Sequence, residues 1–239
     1  MNNLLLTLDK FIEGENLNLL IPTKKFILNS YWHKILNSSR NTQYLDHGLL
    51  PNTIDDQIKF LLSSKKEGRI VLIIENNLNF CGVISLSSIN FEKLQCDISL
   101  VLNNDISLGN TSRNPLIALE AIAILTQHAF DKLGLNRISA GQSIDLLKWQ
   151  NFMELCGYVL EGISREKFKK GLKKYDVLNI ACLKKDFLYL KSKRNGKLWD
   201  SRESMMKRIK LMPKENFYNK FFTKIKEDHK YYYNNIFNL

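Results

Sequence analysis

Residues 113–121 read RNPLIALEA, and they give the strongest indication of the architecture of this chain. The polar residues 103–114 predict a loop. Pro115 is favoured at the first position of a helix, where its missing N–H costs nothing, and the pattern after it predicts a helix as far as Leu133. Gly134 is a candidate for the C-terminal cap. A loop that runs into a helix N-terminus presents unpaired amides and a positive dipole end, which together suit a pyrophosphate.

The sequence before this helix predicts an antiparallel meander. Three strand patterns, at residues 69–75, 80–87 and 95–102, are separated only by short polar turns. Parallel strands need crossovers of a dozen or more residues, so we expect these three strands to pair antiparallel.

The other elements place helices around this meander. Before it we predict a strand at 17–21 and helices at 26–36 and 53–64; after the central helix we predict a strand at 137–141, a helix at 145–156, and strands at 158–163 and 175–183. The order predicts an α/β (α+β) fold, with a mixed, mostly antiparallel central sheet flanked by helices, followed by a C-terminal helical extension.

Several segments of the chain resemble one family in the same order. Residues 113–121 fit the pattern Q/R-x-x-G-x-G/A followed by Glu-Ala, and residues 129–138 (AFDKLGLNRI) resemble the helix-to-strand junction that follows. Residues 154–162 (ELCGYVLEG) resemble a later E-K-x-G-F…E-G segment, and Asp176 fits the last strand. Over residues 17–184 the chain thus resembles the GNAT superfamily of N-acyltransferases. Within that superfamily it is most similar to the branch with ribosomal-protein N-terminal acetyltransferases and amino-sugar acetyltransferases.

The resemblance implies a transferase that moves an acetyl group from acetyl-CoA to a primary amine, with no metal. In the family, the pyrophosphate of coenzyme A lies at the helix start that residues 113–118 match. Leu116 stands where the family has its central glycine. Its side chain either points into the core and leaves its amide free, or crowds the phosphate. The coenzyme contacts that the resemblance implies are Leu100, Leu102, Arg113, Asn114, Leu116, Ile117 and Ala118.

Asp97 is the candidate catalytic residue. It lies in the predicted strand 95–102, where many family members carry a glutamate. Strand alternation puts Asp97, Ser99 and Val101 on one face. If this face lines the cleft, the carboxylate accepts the proton of the attacking amine, directly or through water. The alternative is a carboxylate that is solvated or paired with a lysine.

Two residues that the family uses beside the leaving thiolate are replaced in this sequence. The tyrosine that often protonates the thiolate corresponds to Met153, and the asparagine that contacts coenzyme A corresponds to Leu146. Tyr158, Ser143 or water would then donate the proton. The replacements also leave open an alternative function, a catalytically degenerate GNAT-fold binding protein.

The acceptor is the part of the reaction that the sequence specifies least. A nucleotide-linked amino sugar and a protein N-terminus both remain open. We expect acceptor contacts between the first strand and the second helix, at residues 37–52, where the polar and aromatic candidates are Arg40, Tyr44, Asp46 and His47.

Composition limits the classes of function. The 239 residues, 44% hydrophobic and 25% charged, are typical of a globular protein. The apolar runs are far shorter than the ~20 residues of a membrane span, and the N-terminus has no basic region of a secretory signal. We therefore expect a cytoplasmic protein with no membrane partner. The four histidines and four cysteines show no metal-ligand spacing, and the cysteines are expected as free thiols.

The net charge of +11 is concentrated near the C-terminus. Residues 1–183 carry a net charge of +2 and residues 184–239 carry +9. We divide the chain into an acyltransferase domain at 1–184 and a basic helical extension at 185–239. Apolar residues at helical spacing predict that the extension packs against the core or against a second copy in a homodimer. Nucleic acid is not the expected partner, because most such charge runs are solvated helix faces.

Overall fold

The computed structural model describes residues 2–45, 48–104 and 114–212, together with 223–224, 227–228, 230–231 and 233–236 near the C-terminus. In this part of the chain eight strands form one sheet. The strands are β1 (Lys10–Glu13), β2 (Asn18–Leu20), β3 (Ile70–Asn76), β4 (Asn79–Asn90), β5 (Gln95–Leu102), β6 (Arg137–Ser143), β7 (Val159–Lys170) and β8 (Lys173–Leu183). The helices are α1 (Asn2–Leu5), α2 (Lys24–Asn29), α3 (Trp32–Asn37), α4 (Ile54–Ser64), α5 (Pro115–Asp131), α6 (Leu147–Glu154), α7 (Lys184–Ser192) and α8 (Arg202–Leu211).

The predicted sheet is confirmed: it is mixed and mostly antiparallel. The strand order is β1-β2-β3-β4-β5-β6-β8-β7, and of its neighbouring pairs β5–β6 is the parallel one. The predicted meander β3–β4–β5 pairs antiparallel, with Val71 opposite Ser85 and Ser85 opposite Ser99. The change to parallel pairing comes after α5, the crossover helix between β5 and β6.

Apolar side chains bury both faces of the sheet. On one face, Val71 and Ile73 of β3 pack in a cluster with Phe26 and Trp32 of α2 and α3. Their neighbours in β3 alternate to the other face and are also buried. Against that second face lies α5, which is buried around most of its circumference, since α7 covers its outer side through the stacked rings of Phe130 and Phe187, 4.9 Å apart.

Two N-terminal predictions are corrected. The single helix predicted at 26–36 is two helices, α2 and α3, because Ser30 takes an extended conformation and its hydroxyl accepts the Trp32 N–H at 3.3 Å. The strand β1 was not predicted; its exposed sequence KFIE carries no alternating apolar signal, and it pairs with β2. The predicted helix at 53–64 is confirmed as α4, at whose start Thr53 and Asp56 form a capping box.

The C-terminal strands are longer than predicted. β7 and β8 form a hairpin from Val159 to Leu183, closed at residues 171–172. The predicted helix at 145–156 starts as a 3₁₀ turn at Ile144–Leu146 and continues as α6.

Two compact units divide the chain, Met1–Met205 and Met206–Leu239. In the first unit, residues that follow the last strand belong to the core: Phe187, Leu198, Trp199 and Met205 are buried. These four side chains of the predicted extension are therefore shielded from water, whereas Leu211 of the second unit is 83% exposed. The division at residues 184 and 185 stays a prediction about which part folds alone.

A buried carboxylate fixes α5 to the turn between β1 and β2. Glu120 is fully buried, and its Oε1 accepts the backbone N–H groups of Glu15 at 2.6 Å and Asn16 at 2.9 Å. Its Oε2 accepts Nδ2 of Asn16 at 2.9 Å. Burial raises the pKa of Glu120, and the three donated hydrogen bonds oppose that shift. The carboxylate is therefore the acceptor for the backbone N–H groups of Glu15 and Asn16.

We expect Glu120→Ala to lower the free energy of unfolding by about 3 kcal/mol, because it leaves the amides of Glu15 and Asn16 without their acceptor. Urea denaturation measures this change. Asp131→Asn is the matched control on the same helix: it weakens a partly exposed ion pair with Lys191, at 2.7 Å, and should change stability by less than about 1 kcal/mol. Equal losses in the two variants would contradict the prediction.

Candidate functional site

The two parallel strands separate after three residue pairs, from Gln95 with Arg137 to Asp97 with Ser139. Beyond this point β5 continues with β4 and β6 continues with β8. The edge of β5 that faces β6 therefore has no strand neighbour among the described residues over 98–102. Backbone N–H and C=O groups on such an edge can pair with an extended ligand that carries amide groups of its own.

A cleft of about 530 Å³ opens where the strands separate. Leu100 and Leu102 of β5 form one wall, Pro115 and Ala118 of α5 form another, and β6 and α6 close the far side. The volume lies within the roughly 300–1,000 Å³ of small-molecule sites. The predicted coenzyme contacts Leu100, Leu102 and Ala118 thus lie together at this cleft.

Gln142 of β6 brings an unpaired hydrogen-bond donor to the cleft. The residue is 9% exposed, and its Nε2 is buried with no hydrogen-bond partner among the described residues. A buried polar atom without a partner is destabilising, so such atoms are usually paired in native proteins. In the cleft, a carbonyl oxygen of a ligand would supply the missing acceptor.

The start of α5 is capped by its own asparagine. Oδ1 of Asn114 accepts the Leu116 N–H at 3.0 Å, and the Asn114 carbonyl accepts the Ile117 N–H at 3.1 Å. The side chains of Pro115 and Ala118 line the cleft, whereas those of Leu116 and Ile117 are buried and line a different cavity. Leu116 therefore does not crowd the cleft, and an anion at this helix end competes with Asn114 for its amide. Arg113 lies outside the described residues.

That other cavity, of about 900 Å³, is the wrong place for a pyrophosphate. Besides Leu116 and Ile117 it is lined by four carboxylate side chains, of Glu13, Glu15, Glu75 and Glu120. Negative charge at this density repels a phosphate. Of the two cavities beside the start of α5, the cleft is the one whose lining suits an anionic ligand.

Asp97 lies at the point where β5 and β6 separate. Its side chain is exposed, and the burial of its neighbours confirms the predicted alternation, with Cys96 and Ile98 buried and Ser99 exposed. Asp97 stands opposite Ser87 on one side and Ser139 on the other. Asp97 is not among the residues that line the cleft.

The far end of the cleft is apolar. Met153 and Leu146, which replace the family's tyrosine and asparagine, both line it, as does Trp149. Neither proposed substitute donor lines the cleft. The hydroxyl of Tyr158 is fully buried 2.7 Å from the Thr126 hydroxyl, and burial raises the pKa of Tyr158 well above its usual value. The buried Ser143 hydroxyl accepts the Asp145 N–H at 3.3 Å.

Part of the segment at residues 37–52, where we expect acceptor contacts, lies at the cleft. Arg40, Gln43 and Tyr44 line it, and the Tyr44 hydroxyl accepts a hydrogen bond from Gln43 at 3.1 Å. Among the described residues that line the cleft, Tyr44 is the one tyrosine. Asp46 and His47 lie outside those residues.

A third space, of about 370 Å³, lies on the α4 side of the sheet. Its floor is β4 and β5, where the hydroxyls of Ser85 and Ser99 lie 2.7 Å apart. It shares Ser99 and Val101 with the cleft, so both spaces border β5. No local sequence pattern predicts this cavity or the position of Gln142, because each depends on residues brought together from distant elements.

The cysteines offer no nucleophile for a covalent intermediate. All four are free and buried. Burial raises the pKa of Cys96 and of Cys156 to about 12, so these thiols stay protonated and unreactive at neutral pH. In the described part of the chain, no group of three or more His, Cys, Asp or Glu side chains could hold a metal ion. No helix there is long and apolar enough to span a membrane.

Comparison with solved structures identifies the fold. The chain is similar to RimL, the ribosomal L7/L12 α-N-protein acetyltransferase, in complex with coenzyme A (TM-score 0.63, 14% identity, 73% of this chain and 98% of that chain covered). It is also similar to the spermidine N-acetyltransferase of Vibrio cholerae with CoA and spermine (TM-score 0.61, 17% identity, 73% and 99% covered). A third is the microcin C7 self-immunity acetyltransferase MccE with acetyl-CoA and AMP (TM-score 0.59, 20% identity, 71% and 93% covered).

These proteins have the GNAT fold, and at such identities the likeness establishes the fold alone. No protein-family model matches the sequence, and no curated protein matches it. The fold expected from residues 17–184 is thus confirmed by the strands and their order.

Gly82 holds the end of β5 in place and provides a test of the cleft wall. It lies opposite Leu102 with φ of +154°, and a Cβ there would lie 2.2 Å from the Val101 carbonyl oxygen. We expect Gly82→Ala to lower the free energy of unfolding by about 2–4 kcal/mol, since backbone must move. Thermal and urea denaturation measure the loss. The control is Gly162→Ala in β7, where a Cβ meets nothing within 4 Å; if it is equally destabilised, the close approach at Gly82 is not the cause.

Proposed function

We propose that this chain, which has the fold of the GNAT acetyltransferases, is an N-acetyltransferase that transfers the acetyl group of acetyl-CoA to a primary amine. One observation carries the proposal: Ser99 and Val101 of β5 line both the cleft beside β6 and the cavity beside α4. A donor in the cleft and an acceptor in the cavity then border the same strand and can come together at its unpaired edge. Direct transfer between two bound substrates needs this proximity.

Acetyl-CoA suits the cleft because its pantetheine arm is extended and carries amide groups. The unpaired edge of β5 supplies backbone partners for those amides, with the side chains of Leu100 and Leu102 beside them. Gln142 donates to a carbonyl oxygen of the arm or of the thioester. The Nε2 of Gln142 has no protein partner in the described chain.

The pyrophosphate end of the donor belongs at the start of α5. Of the coenzyme contacts inferred from the sequence, Arg113, Asn114 and Ala118 serve this end, where the positive end of the helix dipole favours an anion. Leu116 and Ile117 contribute through their backbone only, because their side chains line the other cavity. Arg40 adds a cation to the lining of the cleft.

The transfer needs no covalent intermediate on the protein. The amine nitrogen attacks the thioester carbonyl carbon and forms the C–N bond, the C–S bond breaks, and coenzyme A leaves as a thiolate. The proton lost by the nitrogen passes to Asp97 through water, since Asp97 lies exposed at the point where the strands separate. The thiolate takes a proton from the Tyr44 hydroxyl or from solvent.

The proposal covers two acceptors, a nucleotide-linked amino sugar and a protein N-terminus. The similar structures include enzymes named for ribosomal L7/L12 and for spermidine. A homodimer through the C-terminal extension also stays a prediction.

One observation favours a second candidate, a GNAT-fold protein that binds but does not catalyse. Met153 and Leu146 make the end of the cleft apolar, where the family usually has a proton donor.

Incubation with acetyl-CoA and a panel of amines, with free thiol measured, distinguishes the enzyme from the binding protein. Thiol release that depends on the amine supports the enzyme. Coenzyme A binding by calorimetry without thiol release supports the binding protein, and the absence of both contradicts the proposed donor.

Gln142→Leu tests the donor site. Removing the Nε2 donor should raise KM for acetyl-CoA about tenfold and leave kcat within about twofold, since a hydrogen bond to a bound ligand contributes about 1–1.5 kcal/mol. Steady-state kinetics at saturating amine measures both constants. Gln150→Leu is the matched control, because Gln150 is fully buried but lines neither the cleft nor the α4 cavity. An unchanged KM in Gln142→Leu would remove this residue from the donor site.

Asp97→Asn tests the proton acceptor. We expect kcat to fall about 100-fold with both KM values nearly unchanged, because the amide cannot accept the proton. Asp97→Glu should restore part of the rate. If kcat is unchanged in Asp97→Asn, the proton passes to solvent and Asp97 is a solvated strand carboxylate.

A further inference from the structure

We infer that the cavity on the α4 side of the sheet binds a small primary amine that carries a second hydrogen-bond donor, a hydroxyl or an ammonium group, and that Gln57 recognises this second group. The inference deepens the proposed function and rests on it for the identity of the reaction. It starts from an unpaired atom. Gln57 is 4% exposed, lines the cavity, and its Oε1 is buried with no hydrogen-bond partner among the described residues.

The orientation of the Gln57 amide is fixed from behind. Its Nε2 donates to Oδ1 of Asn52 at 2.7 Å. Asn52 is held in turn by Asn37: the Asn52 N–H donates to Oδ1 of Asn37, and Nδ2 of Asn37 donates to the Asn52 carbonyl, both at 2.7 Å. Because the Nε2 of Gln57 already donates to Asn52, the Oε1 is the atom of this amide that can still accept a hydrogen bond. A preorganised acceptor of this kind binds a donor without first having to order its own side chain.

The remaining lining selects for a small molecule with an apolar body. Trp32, Ile35 and Phe60 contribute apolar and aromatic surface, above the serine hydroxyls of the floor. The volume of about 370 Å³ equals that of roughly a dozen liquid waters. It accepts a compact amine and is too small for a folded protein surface.

The charges at the cavity favour a donor over an anion. Asp56 lines it with a carboxylate, of which Oδ2 is bonded to the N–H and hydroxyl of Thr53 and Oδ1 is the second acceptor. The one cationic side chain of the lining, Arg69, is ion-paired with Glu67 at 3.0 Å and lies over the Phe60 ring. Its charge is thus balanced, and the acceptor groups that face the cavity are left to select an ammonium or hydroxyl group.

Position connects this cavity to the reaction. Its floor includes Ser99 and Val101, which also line the donor cleft. An amine whose distal group is bonded to Gln57 extends along the cavity toward β5. Gln57 is then a specificity residue: it selects the acceptor and takes no part in bond formation.

Three amines with the same carbon chain test the inference: 1,4-diaminobutane, 4-aminobutan-1-ol and butylamine, which differ in ending with an ammonium, a hydroxyl or a methyl group. Their kcat/KM values are compared in the full-length protein and in two variants. The unmodified protein should prefer both donor-bearing amines to butylamine. Gln57→Leu should reduce that preference about tenfold, and Gln57→Glu should raise the diamine over the amino alcohol by a similar factor.

A ratio between substrates is insensitive to general loss of folded protein, and Gln150→Leu serves as the control that should leave every ratio unchanged. Saturation-transfer NMR with the same amines in the presence of coenzyme A reports binding without activity. If no amine is acetylated but binding depends on Gln57, the proposed reaction fails and the amine site stands. Ratios and binding that are the same in Gln57→Leu would show that water satisfies the oxygen and would overturn the inference, as would the absence of both binding and reaction for all three amines.

Discussion

The separation of β5 from β6 is the constraint on which the candidate site depends. β6 is bonded to β8 along seven residue pairs, from Arg137 with Leu183 to Ser143 with Val177, but to β5 along only three. β5 is likewise bonded to β4 over nearly its full length. Each strand is thus held by its antiparallel neighbour, and the twist of two separately bonded halves opens a gap between them. The cleft is the space between β5 and β6 beyond their last residue pair.

The helix that connects the two halves is fixed from the side away from the cleft. Glu120 ties α5 to the turn between β1 and β2, and α7 covers its outer surface. The helix therefore presents a set face to the cleft, with Pro115 and Ala118 on it, and hides Leu116. An anion site at a helix start depends on such rigidity, because the dipole acts only within the first turn.

Local patterns in the sequence were sufficient for the architecture. The three strand patterns with short turns predicted the meander, and Pro115 marked the start of α5, because alternation and helix termini are local properties. The resemblance at residues 113–121 and 154–162 then gave the fold that the strand order confirms. The strand β1 was missed because it is exposed and is held by pairing with β2, which no local pattern encodes.

The site was predicted less completely, for the same reason. Leu100, Leu102 and Ala118 were placed at the cleft through a family pattern, and Met153 and Leu146 do lie at its end. Tyr158 and Ser143 were wrong as donors that face the cleft, since periodicity does not say which polar side chain is satisfied inside the core. Gln57 and Gln142 carry no signal in the sequence, because an unpaired amide is defined only by what surrounds it.

Unpaired buried amides gain meaning from the space beside them. Leaving a buried polar atom without a partner costs about 1–3 kcal/mol, so a stable fold keeps few of them. In the described chain, Gln150 also has an unpaired oxygen, but it lines neither space at the strand edge and its Nε2 is bonded to the Tyr158 carbonyl at 3.2 Å. Gln142 and Gln57 differ from it because each lines one of the two spaces that border β5. One offers a donor and the other an acceptor. In the proposed reaction, the donor Nε2 of Gln142 suits the carbonyl oxygens of the thioester substrate. The acceptor Oε1 of Gln57 suits the N–H or O–H group of the amine substrate.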